Sequence, residues 1–193
     1  SYKITATITV PHAQTWRGAT FYMDNLPHSS RIVSTVVGAA LVMQAAMVEN
    51  MRLEGPGDAV VNSIGIQSGA SSMTIHNVSL YGFETGIRLS NIWYGYLDRV
   101  HTTTCAVGIS VNYCYNLTIQ NCRINARRAD TSTAIGIDLV DRSMATLIGG
   151  AVEGYQTGIR MGVSCTLQGT GVYFESDAPS VNAVGIKMGT GAS

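Results

Sequence analysis

Glu49, His76, Asp98 and Gln120 occupy one recurring position in successive segments of this chain, each followed by a residue of a common turn. If those segments stack as coils about 4.8 Å apart, Glu49 and Asp98 lie two coils apart, with backbones about 9–10 Å from each other. Inverting glycosidases hold two carboxyls roughly 6.5–9.5 Å apart so that a water fits between acid and base. His76 sits between them and can tune either carboxyl, and His101, three residues after Asp98, can bind substrate hydroxyls. A second carboxylate pair, Glu153 and Glu175, falls in adjacent coils near Tyr155 and Tyr173, with Asp177 following. The simpler reading of both sets is solubilisation, because spaced charges of both signs on a solvent face often do nothing else.

Aromatic residues form a denser constellation. Trp93, Tyr94, Tyr96, Tyr113 and Tyr115 are five of the 14 Phe, Trp and Tyr residues, and they fall mostly in two equivalent turns. Aligning the turns places Trp93 over Tyr115 and Tyr94 beside Asn116. Trp and Tyr combine a flat apolar face with a polar tip, which suits stacking on sugar rings in water. Trp93, Tyr94, Tyr113 and Tyr115, with His76 and His101, are therefore the candidate substrate-binding residues. Packing against a neighbouring subunit is the competing role for the aromatics.

These residues must be positioned by a repeat. Gly-Ile pairs occur at 65–66, 86–87, 108–109, 136–137, 158–159 and 185–186, separated by 21, 22, 28, 22 and 27 residues. Such a period marks a stacked-repeat architecture. Each unit holds a Gly-Ile strand and two others. One is the set Met47–Asn50, Thr74–Asn77, Tyr96–Arg99, Thr118–Asn121, Thr146–Gly149 and Thr166–Gly169; the other includes Leu53-Glu54-Gly55, Leu80-Tyr81-Gly82, Ile124-Asn125-Ala126 and Val152-Glu153-Gly154. Within Gly86-Ile87-Arg88-Leu89 the apolar residues alternate with a charged one, so Ile87 and Leu89 point inward and Arg88 outward. Three strands per coil of roughly 22 residues predict an all-β fold, a right-handed parallel β-helix of about seven coils forming one domain over 1–193. The segment from Val36 to Val48 is too rich in β-branched residues and glycine to be a helix. On the Gly-Ile strands the ladder Arg88, Ser110, Asp138, Arg160, Lys187 predicts surface ion pairs of small worth, and Asn50, Asn77 and Asn121 recur at a turn that tolerates the left-handed conformation.

Composition narrows the functions. Twelve basic and twelve acidic residues balance, only 12% of the chain is charged, and no basic cluster exceeds Arg127-Arg128, which argues against nucleic-acid binding. No apolar run is long enough for a membrane-spanning helix. The cysteines at 105, 114, 122 and 165 lack metal-site spacing, and no acidic cluster suits calcium, so neither a metal nor a cofactor is expected. Cys122 takes a position held by Val78 and Val100 and reads as a small apolar filler, consistent with assembly in a reducing compartment. A solenoid needs capped ends, and without an evident cap the chain reads as a segment of a longer polypeptide or as one capped by partners.

The opening Ile8-Thr9-Val10-Pro11, the run Asn50-Met51-Arg52-Leu53-Glu54-Gly55 and the Gly-Ile strands together resemble the pectate-lyase-like superfamily. Within it they resemble most the β-helical tailspikes of bacteriophages. The resemblance implies a homotrimer in the virion, acting with other tail proteins to bind, and in many members cleave, capsule or O-antigen polysaccharide on the host surface. It carries over no catalytic residue. As an enzyme, the chain would be a glycoside hydrolase using paired carboxylates rather than a lyase using Arg or Lys as base. Two alternatives are a non-catalytic structural or binding segment of the tail, and a cellular pectin lyase or polygalacturonase.

Overall fold

The computed structural model describes residues 2–18, 31–126, 133–175, 184–189 and 192–193. Every strand pairing among them is parallel. The Gly-Ile strands form one eight-stranded sheet in strict chain order, running from Ile8–Val10 through Thr85–Ser90 and Val107–Asn112 to Val184–Met188. The other two strands of each unit join in a thirteen-stranded sheet. Its two limbs are continuous in Met47–Glu54 and Met73–Tyr81, and elsewhere separate into pairs such as Gly95–Asp98 and His101–Thr103. No helix occurs among the described residues, and the Val36–Val48 segment is strand in its greater part.

Alternation explains the core. Leu41, Ile66, Ile87, Ile109, Ile137 and Ile159 pair in register down the Gly-Ile sheet, and all are almost wholly buried. Val48, Ile75, Leu97, Ile119 and Leu147 form the facing column. A third column runs Leu53, Leu80, Thr102, Ile124, Val152, with one threonine where the other rungs place aliphatics. Each such side chain contributes about 1.5–3 kcal/mol by leaving water, and none could be buried by a single coil.

The recurrent glycine has a steric cause. A Cβ on Gly65 would lie 2.6 Å from the carbonyl oxygen of Gly86, and one on Gly86 would lie 2.6 Å from that of Gly108. The same approach recurs at Gly136 and Gly158. These glycines therefore let adjacent coils close up. The bend between the two limbs has another requirement, a positive φ, taken by Asn50, Asn77, Arg99 and Asn121 and then by Gly149 and Gly171. The Asn77 amide donates to the Asn50 side-chain oxygen at 2.7 Å, so the asparagines stack as an amide ladder that Arg99 interrupts.

The last coil corrects one expected alignment. Thr146 pairs with Gln168 rather than Thr166, and Leu147 with Gly169. A two-residue slip keeps every side chain on its face, so alternation is blind to it. The left-handed glycine of that coil is Gly171, which sets the register.

Candidate functional site

The aromatic turn follows strand Thr85–Ser90. Asn91 turns the chain at φ 57°, and Ile92 plugs into the core. Trp93 and Tyr94 are then thrown outward, 58% and 61% exposed. One coil on, Tyr113 takes the positive φ and Cys114 is the buried plug, while the Tyr115 amide donates to the Ile92 carbonyl at 2.7 Å. The two coils thereby bring Trp93 and Tyr115 together, ring centroids 5.4 Å apart and tilted by 40°. Tyr113 faces the following coil instead. Its ring lies under the Arg142 guanidinium at 5.5 Å, and its hydroxyl, bonded to Asp141, has its pKa raised by that hydrogen bond and by the carboxylate's charge.

The ionisable column is in register as expected: Glu49 pairs with His76, His76 with Asp98, and Asp98 with Gln120. Arg17 precedes it. The expectation of solvent-facing carboxyls needs correction, since Glu49 and Asp98 are only 6% and 7% exposed. Guanidinium groups cover them. Arg17 Nε donates to Glu49 Oε1. Asp98 Oδ2 accepts from His76 Nδ1 at 3.0 Å and from Arg99 Nε at 3.3 Å. Arg99 also points Nη2 at His76 Nε2, 3.3 Å away. Because arginine can only donate, a hydrogen bond between these atoms needs the His76 proton on Nδ1, the nitrogen that faces Asp98. His76 thus stands between the carboxyls as a structural partner of Asp98, whose Oδ1 is buried without a hydrogen bond. His101 lies on the other limb, beyond the Arg99 bend, in register with Ser79 and Arg123. Its Nε2 meets Thr103 Oγ1 at 2.9 Å.

Glu153 and Glu175 pair in adjacent coils as the spacing predicts. Glu153 Oε2 accepts from Arg123 Nε at 3.0 Å and Asn125 Nδ2 at 2.7 Å, while Glu175 is exposed beside exposed Tyr173. Tyr155 does not flank them on the surface; it is buried, 3% exposed, filling the space that the small Gly108 and Gly136 leave inside the coil. Asp177 falls outside the described residues. On the Gly-Ile sheet, the ladder Arg88, Ser110, Asp138, Arg160, Lys187 is in register, but the carboxylate of its ion pair is buried while the guanidinium is half exposed. Asp138 is 5% exposed and accepts two bonds from Arg160, at 2.7 and 2.6 Å.

The four cysteines are free and buried, and burial pushes the Cys105 and Cys122 thiols up to about 12, as befits fillers rather than ligands or nucleophiles. Among the described residues no group of three or more His, Cys, Asp or Glu side chains could hold a metal ion. Tyr96, Met144 and Ile148, each at least 37% exposed on the strands next to the aromatic turn, were not among the candidate site residues. Their signal was present as outward positions in the strand alternation.

Residues 41–193 match the family model described as "Right handed beta helix region", and the chain belongs to that family. No curated protein matches it. Among solved structures it is similar to the catalytic domain of a GH87 alpha-1,3-glucanase in complex with tetrasaccharides, with 14% sequence identity and a TM-score of 0.49. That similarity covers 98% of this chain and 39% of the glucanase chain, so this chain spans well under half of that protein's length.

Proposed function

We propose that the chain is the glycan-binding β-helix of a bacteriophage tailspike or tail fibre, attaching the virion to capsule or O-antigen polysaccharide on the host cell. In this reading it works as a homotrimer alongside other tail proteins. The observation that carries the binding function is the tilted Trp93–Tyr115 pair, Trp93 exposed and Tyr115 half-buried, with exposed Tyr94 beside it. Burying such rings in water rewards a ligand that presents flat C–H faces and hydroxyls, as sugars do. Binding is favoured over cleavage at the Glu49 column, because both of its carboxyls are tied to cations and screened from substrate.

A second reading, hydrolysis, has one observation behind it. Glu153 and Glu175 are register partners in adjacent coils, about 4.8 Å apart at the backbone, a spacing from which two carboxyls can reach the roughly 5–5.5 Å separation of retaining glycosidases. The test uses capsule and O-antigen from candidate hosts. Binding without release of oligosaccharide is the expected result, with Trp93→Ala and Tyr115→Ala each weakening affinity about 5-fold, the equivalent of about 1 kcal/mol. Release that disappears in Glu175→Gln would establish the hydrolase instead. Unchanged glycan affinity in the Trp93→Ala, Tyr115→Ala double variant would remove the binding reading.

A further inference from the structure

We infer that the glycan held at the aromatic turn is an uncharged one, and that its surface extends from Trp93 and Tyr115 over the outer face of strands Leu117–Gln120 and Met144–Ile148; the inference rests on the glycan-binding reading above. Register defines the face. Gly95, Leu117 and Ala145 pair across three coils, so Tyr94, Asn116 and Met144 lie in one outward column and Tyr96, Thr118 and Thr146 in the next. The third column begins at Asp98 and continues through Gln120 and Ile148. Beyond Asp98 these columns carry no charged side chain as far as strand Thr166–Thr170.

The same coils do carry charge, but elsewhere. Arg123 and Glu153 stand on the other limb, and Asp138 and Arg160 on the Gly-Ile sheet. The guanidinium at the rim of the aromatic turn, Arg142, is occupied by the Tyr113 ring and by Asp141, 4.0 Å away. The middle of the face holds no cation, and the guanidiniums at its edges, Arg99 and Arg142, already pair with Asp98 and Asp141, so an acidic sugar laid there would surrender hydration of its carboxylate without a free partner, a cost that only pairing repays. A neutral sugar meets matched chemistry. Thr118, Thr146, Asn116 and Gln120 offer hydroxyls and amides to its hydroxyl groups, and Tyr94, Met144 and Ile148 offer exposed apolar surface to its C–H faces. The mixture also distinguishes a sugar from a second copy of the chain. The buried centre of a subunit interface is more apolar than its surroundings, whereas here hydroxyl and amide side chains occupy the middle of the face.

Affinity electrophoresis through gels containing soluble polymers tests this directly. One set is neutral (dextran, galactomannan, a β-1,3-glucan) and the other anionic (polygalacturonate, alginate, polysialic acid), each run at low and high ionic strength. We expect retardation by a neutral polymer that is insensitive to salt, weakened about 5-fold by Trp93→Ala and about tenfold or more by Thr118→Glu, but less by Thr118→Val. Thermal melts of the variants separate lost binding from lost folding. Retardation only by anionic polymers, fading as salt rises, would overturn the neutral class and leave glycan binding standing. No retardation by any polymer of either set would overturn both. If Thr118→Glu lowers the mass of an assembly in solution while leaving glycan retardation intact, the face is a contact between copies and the inference falls.

Discussion

Asp138 and Arg160 differ in burial, and the difference predicts unequal consequences of removing either one. The Asp138 side chain is 7% exposed while that of Arg160 is 48% exposed. Their mutual bonding raises the arginine's pKa and fixes both side chains. Arg160→Ala leaves a largely buried carboxylate without its cation, a loss of about 1–3 kcal/mol, below that of a fully buried pair because Arg160 is itself half exposed. Asp138→Asn leaves a guanidinium that can turn to water and should cost distinctly less. Urea denaturation of both variants checks the order, and equal losses would show that Asp138 is better solvated than its burial implies. The same reasoning accounts for what was hidden at Glu49 and Asp98. Their places in the column follow from the repeat, but Arg17 lies 32 residues from Glu49 in sequence, and its covering contact exists only once coils stack.

At the scale of the strand and turn, close approach is the governing fact. Gly86 permits a carbonyl oxygen of the next coil to sit where its Cβ would be, 2.6 Å away, and Thr102 Cγ2 lies 3.0 Å from the same point. Gly86→Ala must push two coils apart, and overpacking of this kind typically costs about 1–3 kcal/mol. The expected outcome is a lower denaturation midpoint with an intact β-type circular dichroism spectrum. A midpoint equal to wild type would mean that the Gly-Ile column is not selected by packing. The turn elements explain what the repeat pattern missed. The last coil slips by two residues because the bend needs a left-handed residue and finds it at Gly171 rather than Gly169. Arg99 meets the same demand with an unfavourable residue type, φ 51°, while holding His76 and Asp98.

Over the whole molecule, stability is the sum of coil-to-coil contacts, since each coil touches only its neighbours. Ile109 and Ile186 belong to one core column, yet Ile109 is fully buried and Ile186 is 47% exposed. Ile109→Ala should cost about 2–5 kcal/mol, as a deep cavity does, and Ile186→Ala under about 1 kcal/mol, as at an exposed site. Chemical denaturation of the two variants provides the comparison. Equal losses would show that the last coil is covered in the assembled protein, by a partner or by another copy.

The sequence by itself determined the coil, the parallel stacking and, in every coil but the last, the residues sharing each column. A short period of Gly, alternating aliphatics and left-handed turn residues has one economical way to bury its apolar face. It also placed Trp93 over Tyr115, because both follow equivalent plugs, Ile92 and Cys114, into the core. Tertiary structure alone decided which of the outward groups meet water. Whether Glu49, Asp98 and Asp138 are open carboxylates or covered ones depends on partners that stacking brings in, Arg17 for Glu49, His76 beside the adjacent Arg99 for Asp98, and Arg160 for Asp138. The buried place of Tyr155 depends on the space left by glycines of earlier coils. Columns are a local, repeating property that alternation encodes; cover is a non-local one, set by which side chain reaches across from the neighbouring rung.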